Sequence, residues 1–325
     1  MNQLDFKDEL RLKISKLSQN VWENKVKGES LERWLENFSN SEDISSCETS
    51  HALFMLSNFM FFGVKEIREL LKSIYRDKVK IPLIRDIRLS NGRTKNSVLI
   101  EDLFKNELGA TRFLGMGNPS ESGNHLLYFF RQENQLPKEL FIHTHEILSI
   151  NRDKNNFKTI ALKNENIRRY IFIDDVCGSG TQATEYSEDL IKEIKDINQD
   201  IEVCYFTLFA TSKGLQNIRD NTLFDNVDCI FELDDSFRCF SENSRYFKGV
   251  DELPISKEFA ESFCRKYGHK MLFSEEHQLG YKNGQMLMGF SHNIPDNTLP
   301  IIWSEDQNWV PIMKRYSKLS SSFYE

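Results

Sequence analysis

Residues 168–183 read RRYIFIDDVCGSGTQA, an apolar run that ends in two acidic residues and a Gly-Ser-Gly-Thr turn. Tyr170, Ile171, Phe172 and Ile173 suit a strand covered on both faces, because buried parallel strands read as near-continuous apolar runs. Asp174 and Asp175 then fall at its carboxyl end, the edge of an open α/β sheet where ligands bind. Gly178 and Gly180 allow a tight turn whose N–H groups point into one concavity. A helical pattern follows at once, from about Thr181 to Asp196. Strand, glycine turn and helix N-terminus together make an anion site, usually for phosphate. The acidic pair beside it suits a polyol or a divalent cation. The plain alternative is an ordinary βα turn in which Asp174 or Asp175 caps the helix.

Strand and helix patterns alternate around this stretch. SVLIEDLFKNELGA (97–110) reads as a short strand or turn and then a helix, and TRFLGMG (111–117) as a strand ending in glycines. SGNHLLYFFRQEN (122–134) reads as a helix, and KELFIHTHEIL (138–148) contains another strand. The charged run INRDKNNFKTIALKNENIRR (150–169) is poorly periodic and offers one short helix at most. IEVCYFTLFA (201–210) is a strong strand, SKGLQNIRD (212–220) a short helix and VDCIFELDD (227–235) a further strand. Connections of this length suit parallel crossovers. Residues 96–235 are therefore expected to form an α/β core with a doubly wound, mostly parallel sheet. Residues 1–95 form a helical N-terminal region in this reading. Its cap region lies near Ser46, it breaks at Gly63, and the polar stretch RLSNGRTKNS (88–97) ends it. Residues 236–325 form an irregular C-terminal cap, with one helix at SKEFAESFCRKY (256–267). Pro295, Asn297, Pro300, Trp303 and Trp309 in its tail suit a stiff cover packed by two indoles.

The chain has 325 residues, which fits one large domain with additions, or two domains. Its net charge of −7 carries no nucleic-acid footprint. The longest apolar run, ALFMLSNFMFFG (52–63), is too short to span a bilayer, and the N-terminus lacks the apolar core of a signal peptide. Cys47, Cys177, Cys204, Cys229, Cys239 and Cys264 lack CxxC spacing and read as buried, reduced thiols, so a cytoplasmic protein is the default expectation.

The string YIFIDDVCGSGTQA (170–183) resembles the substrate signature of type I phosphoribosyltransferases, in which an apolar strand, an acidic pair and a Gly/Ser/Thr turn follow one another. The resemblance implies that Gly178, Ser179, Gly180 and Thr181 cradle the 5-phosphate of phosphoribosyl pyrophosphate. It implies that Asp174 and Asp175 hold the ribose hydroxyls as the catalytic pair, with magnesium as cofactor at the same two carboxylates. RFLGMGNPSESGNHLLYFFR (112–131) resembles the family's pyrophosphate loop. There Gly117, Ser120, Ser122 and Gly123 are the implied receivers, with Arg112 or Arg131 as charge partners. The loop departs from the pattern at Glu121, where a Lys or Arg would neutralise pyrophosphate. A carboxylate repels a polyanion unless a magnesium ion lies between them.

The resemblance extends beyond the core. The helical N-terminus, the LG.G..S.SG loop and the tail LGY…F…N.PDNTLPIIW…W.P are similar to a phosphoribosyltransferase-like family of bacterial conflict and antiphage operons. That resemblance implies an effector in antiphage defence, acting on phosphoribosyl pyrophosphate or a nucleotide, with a protein partner from the same operon and no membrane association.

Weaker constellations remain open. His143 and His145 in HTHE (143–146) would share one face of a strand, as two metal ligands need, but no third ligand is evident, and substrate contact is the other option. Asp234 and Asp235 follow the last core strand and suit either a base edge or a solvated strand end. Cys177 lies at a helix N-terminus, which can depress a thiol pKa, or else simply packs. An active enzyme would displace pyrophosphate at ribose C1 with a nitrogen nucleophile, by positioning and electrostatics. The alternative is a catalytically inactive ligand-sensing or partner-binding module on the same fold. A nucleotide hydrolase is a third reading, for which the sequence places no general base.

Overall fold

The computed structural model describes residues 3–117, 122–152, 158–250, 253–305 and 308–315. The chain begins with α1 (Gln3–Asn20), α2 (Gly28–Leu35), α3 (Glu48–Ser57) and a short strand, β1 (Met60–Phe62). Next come α4 (Val64–Ser73), a π-helical segment (Ile74–Lys80), α5 (Ile81–Ser90) and α6 (Ser97–Gly109). The sheet region runs β2 (Thr111–Gly115), α7 (Ser122–Glu133), β3 (Leu148–Arg152), β4 (Lys158–Leu162), β5 (Arg169–Cys177), α8 (Thr181–Ile197), β6 (Glu202–Thr211), α9 (Ser212–Asn221) and β7 (Asn226–Leu233). The chain continues through α10 (Lys257–Leu272), β8 (Met288–Phe290) and α11 (Pro300–Trp303). It divides into two compact units, one of residues 67–233 and one of residues 1–66 together with 234–325.

In the first of these units, β2, β5, β6 and β7 lie parallel in the order β2-β5-β6-β7. On the other edge of β2, Phe141 makes a single parallel bridge to Phe113, and Ile142 N–H donates to Phe113 O at 3.2 Å. Counting the Phe141 segment as second in chain order, the spatial order is 2-1-3-4-5, so the winding reverses between β2 and β5. This is a doubly wound α/β sheet. Apolar side chains fill both faces. Leu114, Tyr170, Phe172, Val203 and Tyr205 pack with Ala183, Ile191 and Ile194 of α8 and with Leu215 and Ile218 of α9. Phe113, in register with Ile171, faces the other way and meets Phe130 of α7 at 5.2 Å between ring centroids. Coverage on both sides explains why residues 170–173 do not alternate.

Residues 148–162 differ from the expectation of at most one short helix. They hold an antiparallel pair, β3 and β4, with Leu148 opposite Leu162 and Ile150 opposite Ile160. The period-two signal is there, but Lys and Asn residues dilute it, and Ile150 and Ile160 stay exposed. Residues 97–109 are helical throughout, because the Asn96 side chain accepts from the Val98 and Leu99 amides and starts α6 directly. The strand expected within 138–148 shrinks to the Phe141 bridge, since Thr144–Glu146 turn as a 3-10 helix.

The second unit draws one core from both ends of the chain, including Trp22, Trp34, Phe54, Phe263, Leu299 and Ile302. The Trp34 indole N–H donates to Ile301 O at 2.8 Å. Asn37 exchanges two bonds with Val310, at 2.9 and 3.1 Å, and Phe38 meets Trp309 at 5.2 Å. β1 and β8 pair in parallel, with Met60 opposite Met288, and Gly63 stands between β1 and α4. The tail thus packs as a cover, with Trp303 donating to Thr298 O at 2.8 Å. The sequence divides at 95/96 and 235/236, whereas by contact the chain divides after Glu66 and Leu233, and residues 67–95 go with the sheet. All six cysteines are buried and unpaired. Among the described residues no helix is long and apolar enough to cross a membrane.

Candidate functional site

β2 and β5 are hydrogen-bonded neighbours that end at the point where the winding reverses. Their carboxyl ends therefore start only about 4.8 Å apart, and the two loops that leave them flank one crevice. After β5, Gly178–Thr181 turn into α8. Gly180 takes a left-handed conformation (φ 76°), and a Cβ there would lie 2.8 Å from Gly214 O. Gly214, in α9, approaches so closely that its own Cβ would lie 2.5 Å from Gly178 O.

This loop is held by its carbonyls. The Thr211 hydroxyl donates to Gly178 O, and Asn217 Nδ2 donates to Ser179 O at 2.8 Å. Thr211 Oγ1 also accepts from Gly214 N–H at 2.8 Å, so the cap of α9 doubles as a buttress for the loop. The Gly180 amide goes to the Cys177 sulfur. Carbonyls fixed toward α9 turn the loop's amides the other way, at the positive end of α8, where the Thr181 amide donates to Ser179 Oγ at 3.4 Å. The Ser179 and Thr181 hydroxyls lie 2.9 Å apart at the same turn.

The acidic pair stays together. β5 remains paired to β6 through Cys177 opposite Ala210, but strict alternation lapses here, since Cys177 joins Phe172 and Tyr205 in one cluster, and both aspartates are buried. Asp174 shares the face of Phe172 and Tyr205. Its Oδ2 accepts from the Tyr205 hydroxyl at 3.0 Å and its Oδ1 from the Asp175 amide at 2.9 Å. Burial, then the neighbouring Asp175 charge, hold the Asp174 carboxyl well above the usual carboxylate range. Asp175 Oδ1 accepts from the Val176 amide at 2.8 Å, and its side chain meets that of Asp174. Two adjoining carboxyls are the donor type a magnesium ion takes. Among the described residues, no three His, Cys, Asp or Glu side chains converge as metal ligands elsewhere. Cys177 packs, and burial pushes its thiol up to about 12.

After β2, the chain approaches α7 backbone to backbone. A Cβ on Gly115 would lie 2.5 Å from Asn124 N, and one on Gly123 would lie 2.6 Å from Met116 O. Gly123 therefore serves this contact, while Gly117 (φ 86°) turns the loop. Ser122 opens α7, and Ser120 and Glu121 lie outside the described residues. Arg112 and Arg131 do not serve the loop as charge partners. Arg112 sits at the amino end of β2 and donates to Gly109 O and Thr111 O, both at 2.8 Å, and Arg131 lies in the last turn of α7. A cavity of about 300 Å³ opens here, lined by Gly115, Gly117, Asn124, His143, Thr144 and His145 among others. Asp234 accepts from Ser236 N–H at 2.9 Å as the cap of a turn, and Asp235 pairs with Arg238 at 3.2 Å, so both act at a solvated strand end.

Tyr205, Thr211, Gly214 and Asn217 complete the site without any mark in the quoted motif. Gly214 lies in the first turn of α9, where a glycine in a helix start gives no local sign of the close approach it makes to Gly178 O.

No curated protein matches the chain. Among solved structures, it is similar to a xanthine-guanine-hypoxanthine phosphoribosyltransferase from Helicobacter pylori, with 11% identity, 54% of this chain and 89% of that one covered, and a TM-score of 0.25. It is also similar to an orotate phosphoribosyltransferase from Aeropyrum pernix, with 12% identity, 51% and 76% covered, and a TM-score of 0.23. Likenesses at these scores carry no argument of their own. A family model described as PRTase-CE matches residues 31–315, spanning both loops and most of both units. The chain belongs to this phosphoribosyltransferase-like family, PRTase-CE.

Proposed function

We propose that the protein binds the ribose phosphate group of phosphoribosyl pyrophosphate or a nucleotide in the crevice between the carboxyl ends of β2 and β5. One observation carries this reading: the loop 178–181 is fixed by its carbonyls to Thr211 and Asn217, at the N-terminus of α8. Such a loop presents amides and two hydroxyls to a phosphate without reorganising. Asp174 and Asp175, as carboxyls at the end of β5, take the ribose hydroxyls. In a transferase the nitrogen nucleophile attacks ribose C1 as the bond to pyrophosphate breaks, and the protein supplies positioning and exclusion of water. The family context adds a role as an effector in antiphage defence, in the cytoplasm and with a protein partner.

The Asp174 carboxyl, already engaged by the Tyr205 hydroxyl, favours a second reading, in which the phosphate site is kept for sensing and turnover is lost. Calorimetric titration with phosphoribosyl pyrophosphate and with ribose 5-phosphate separates these readings. In a Ser179→Ala/Thr181→Ala variant, which keeps the backbone cradle but removes both hydroxyls, both ligands should bind about tenfold more weakly. Unchanged binding of both would remove the loop as the phosphate site. Tighter binding of the pyrophosphate ester than of ribose 5-phosphate supports a transferase, and equal binding supports a sensor.

A further inference from the structure

We propose that the protein self-associates as a weak two-fold dimer through α5 and α6, with the outer face of α5 on one copy against the outer face of α6 on a second copy. The two helices pack together and are joined by the short turn 91–96, which sets them antiparallel. Within α5, Leu83 and Ile87 are buried and mark the inner face. Ile81, Arg85, Arg88 and Leu89 stand at i, i+4, i+7 and i+8 on the opposite side, and Ile81 and Leu89 are 53% and 54% exposed. In α6, six residues of thirteen are large and apolar, but none is buried. Val98, 67% exposed, shares an outer face with Asp102 and Lys105, and Leu99, 39% exposed, lies at its margin.

The two faces are complementary in charge. α5 and the turn after it carry Arg85, Arg88, Arg93 and Lys95 against one acid, Asp86, whereas α6 carries Glu101, Asp102 and Glu107 against one base, Lys105. Glu107 is taken by Arg168 at 2.7 Å, and Arg88 donates from Nε to Thr94 O at 3.1 Å, which braces the turn. The pairs within each helix, Arg85 with Asp86 at 3.0 Å and Lys105 with Glu101 at 2.8 Å, join side chains 60–67% exposed and hold them only weakly. The spacing is complementary too. Leu89 and Arg85 are four residues apart, as are Val98 and Asp102. With α5 of one copy antiparallel to α6 of the other, Leu89 meets Val98 and, about 6 Å further along, Arg85 meets Asp102. The same match recurs across the two-fold axis, so the occupant that fits is a second copy of this chain. A face two helices wide, each about 10 Å across and 15–20 Å long, offers roughly 400 Å² per copy. That is at the small end of specific interfaces, so the dimer is reversible, with a Kd on the order of 10–100 µM.

The test is sedimentation equilibrium of the full chain at low salt, at up to about 300 µM, several times the expected Kd. The proteins compared are the wild type, Arg85→Glu, Asp102→Arg and the chain carrying both substitutions, with thermal melts to verify folding. The wild type should show a monomer–dimer equilibrium that weakens as salt rises. Each single reversal should weaken it about tenfold or more, and the double reversal should recover wild-type affinity to within about threefold, since it restores opposite charges across the axis. A wild type that stays monomeric over the whole range overturns the proposal. So does a dimer unmoved by the single reversals, or a double reversal that associates no better than either single one.

Discussion

Asp174 and Asp175 are adjacent, alike in charge and both buried, so the Asp175 charge makes Asp174 costlier to ionise. Burial and the Asp175 charge raise the Asp174 pKa in the folded chain above the ordinary aspartate value near 4. Its raised folded pKa therefore lowers stability at neutral pH relative to acid. Asp174→Asn, neutral at all pH, should be more stable than wild type at pH 7, on the order of 1 kcal/mol, with the difference vanishing near pH 3. Urea denaturation at the two pH values measures this. Ribose 5-phosphate affinity should drop about tenfold in each of Asp174→Asn and Asp175→Asn. A second prediction concerns the buttress. Gly214→Ala should cost about 1–3 kcal/mol and weaken phosphate binding, because its Cβ would strike Gly178 O and the Cys177 sulfur. The turn 178–181 was legible as a strand–turn–helix junction because these are local patterns. The burial of the acidic pair was not, because it depends on Tyr205 of the neighbouring β6.

At the scale of elements, helices and covered strands declared themselves, while β3 and β4 did not. Their Leu148–Leu162 and Ile150–Ile160 pairs are too few to stand out among Lys and Asn. The buttress of the phosphate turn lies in α9, more than thirty residues downstream, where TSKGLQN looks like an ordinary helix start. Contacts between elements also create titration behaviour that composition hides. Buried His51 of α3 donates from Nδ1 to Cys47 O at 2.9 Å, and its Nε2 accepts from the Ser256 amide at 2.9 Å, at the start of α10. Burial lowers its pKa below the usual value near 6.5. The stability this neutral clamp supplies is full above that value and is lost as pH falls through the lowered one. Between pH 7.5 and 5 the wild type should lose more stability than His51→Gln, read as the shift in urea midpoint. Equal shifts would mean that the ring does not titrate against the fold.

At the scale of the whole molecule, the sequence shows where composition changes but not which distant segments share a core. Nothing local in residues 1–66 says that Trp34 will donate to Ile301 or that Asn37 will bond to Val310. Trp34→Ala should cost about 3–5 kcal/mol, and limited proteolysis should then cut within the tail near Ile301–Val310 first. Cleavage elsewhere would show that the tail is held by other contacts. The division of one unit between both ends of the chain also fixes an order of events during synthesis. Its first 66 residues emerge well before residue 234, separated from it by residues 67–233. At about 5–20 residues per second, that gap lasts roughly ten to thirty seconds. Only at the end of that interval does the parallel sheet have its whole sequence in hand, and throughout it Trp22, Trp34 and Phe38 lack the segment that covers them. The nascent N-terminus is therefore the natural client of a chaperone, and translation slowed within residues 67–233 would lengthen its exposure.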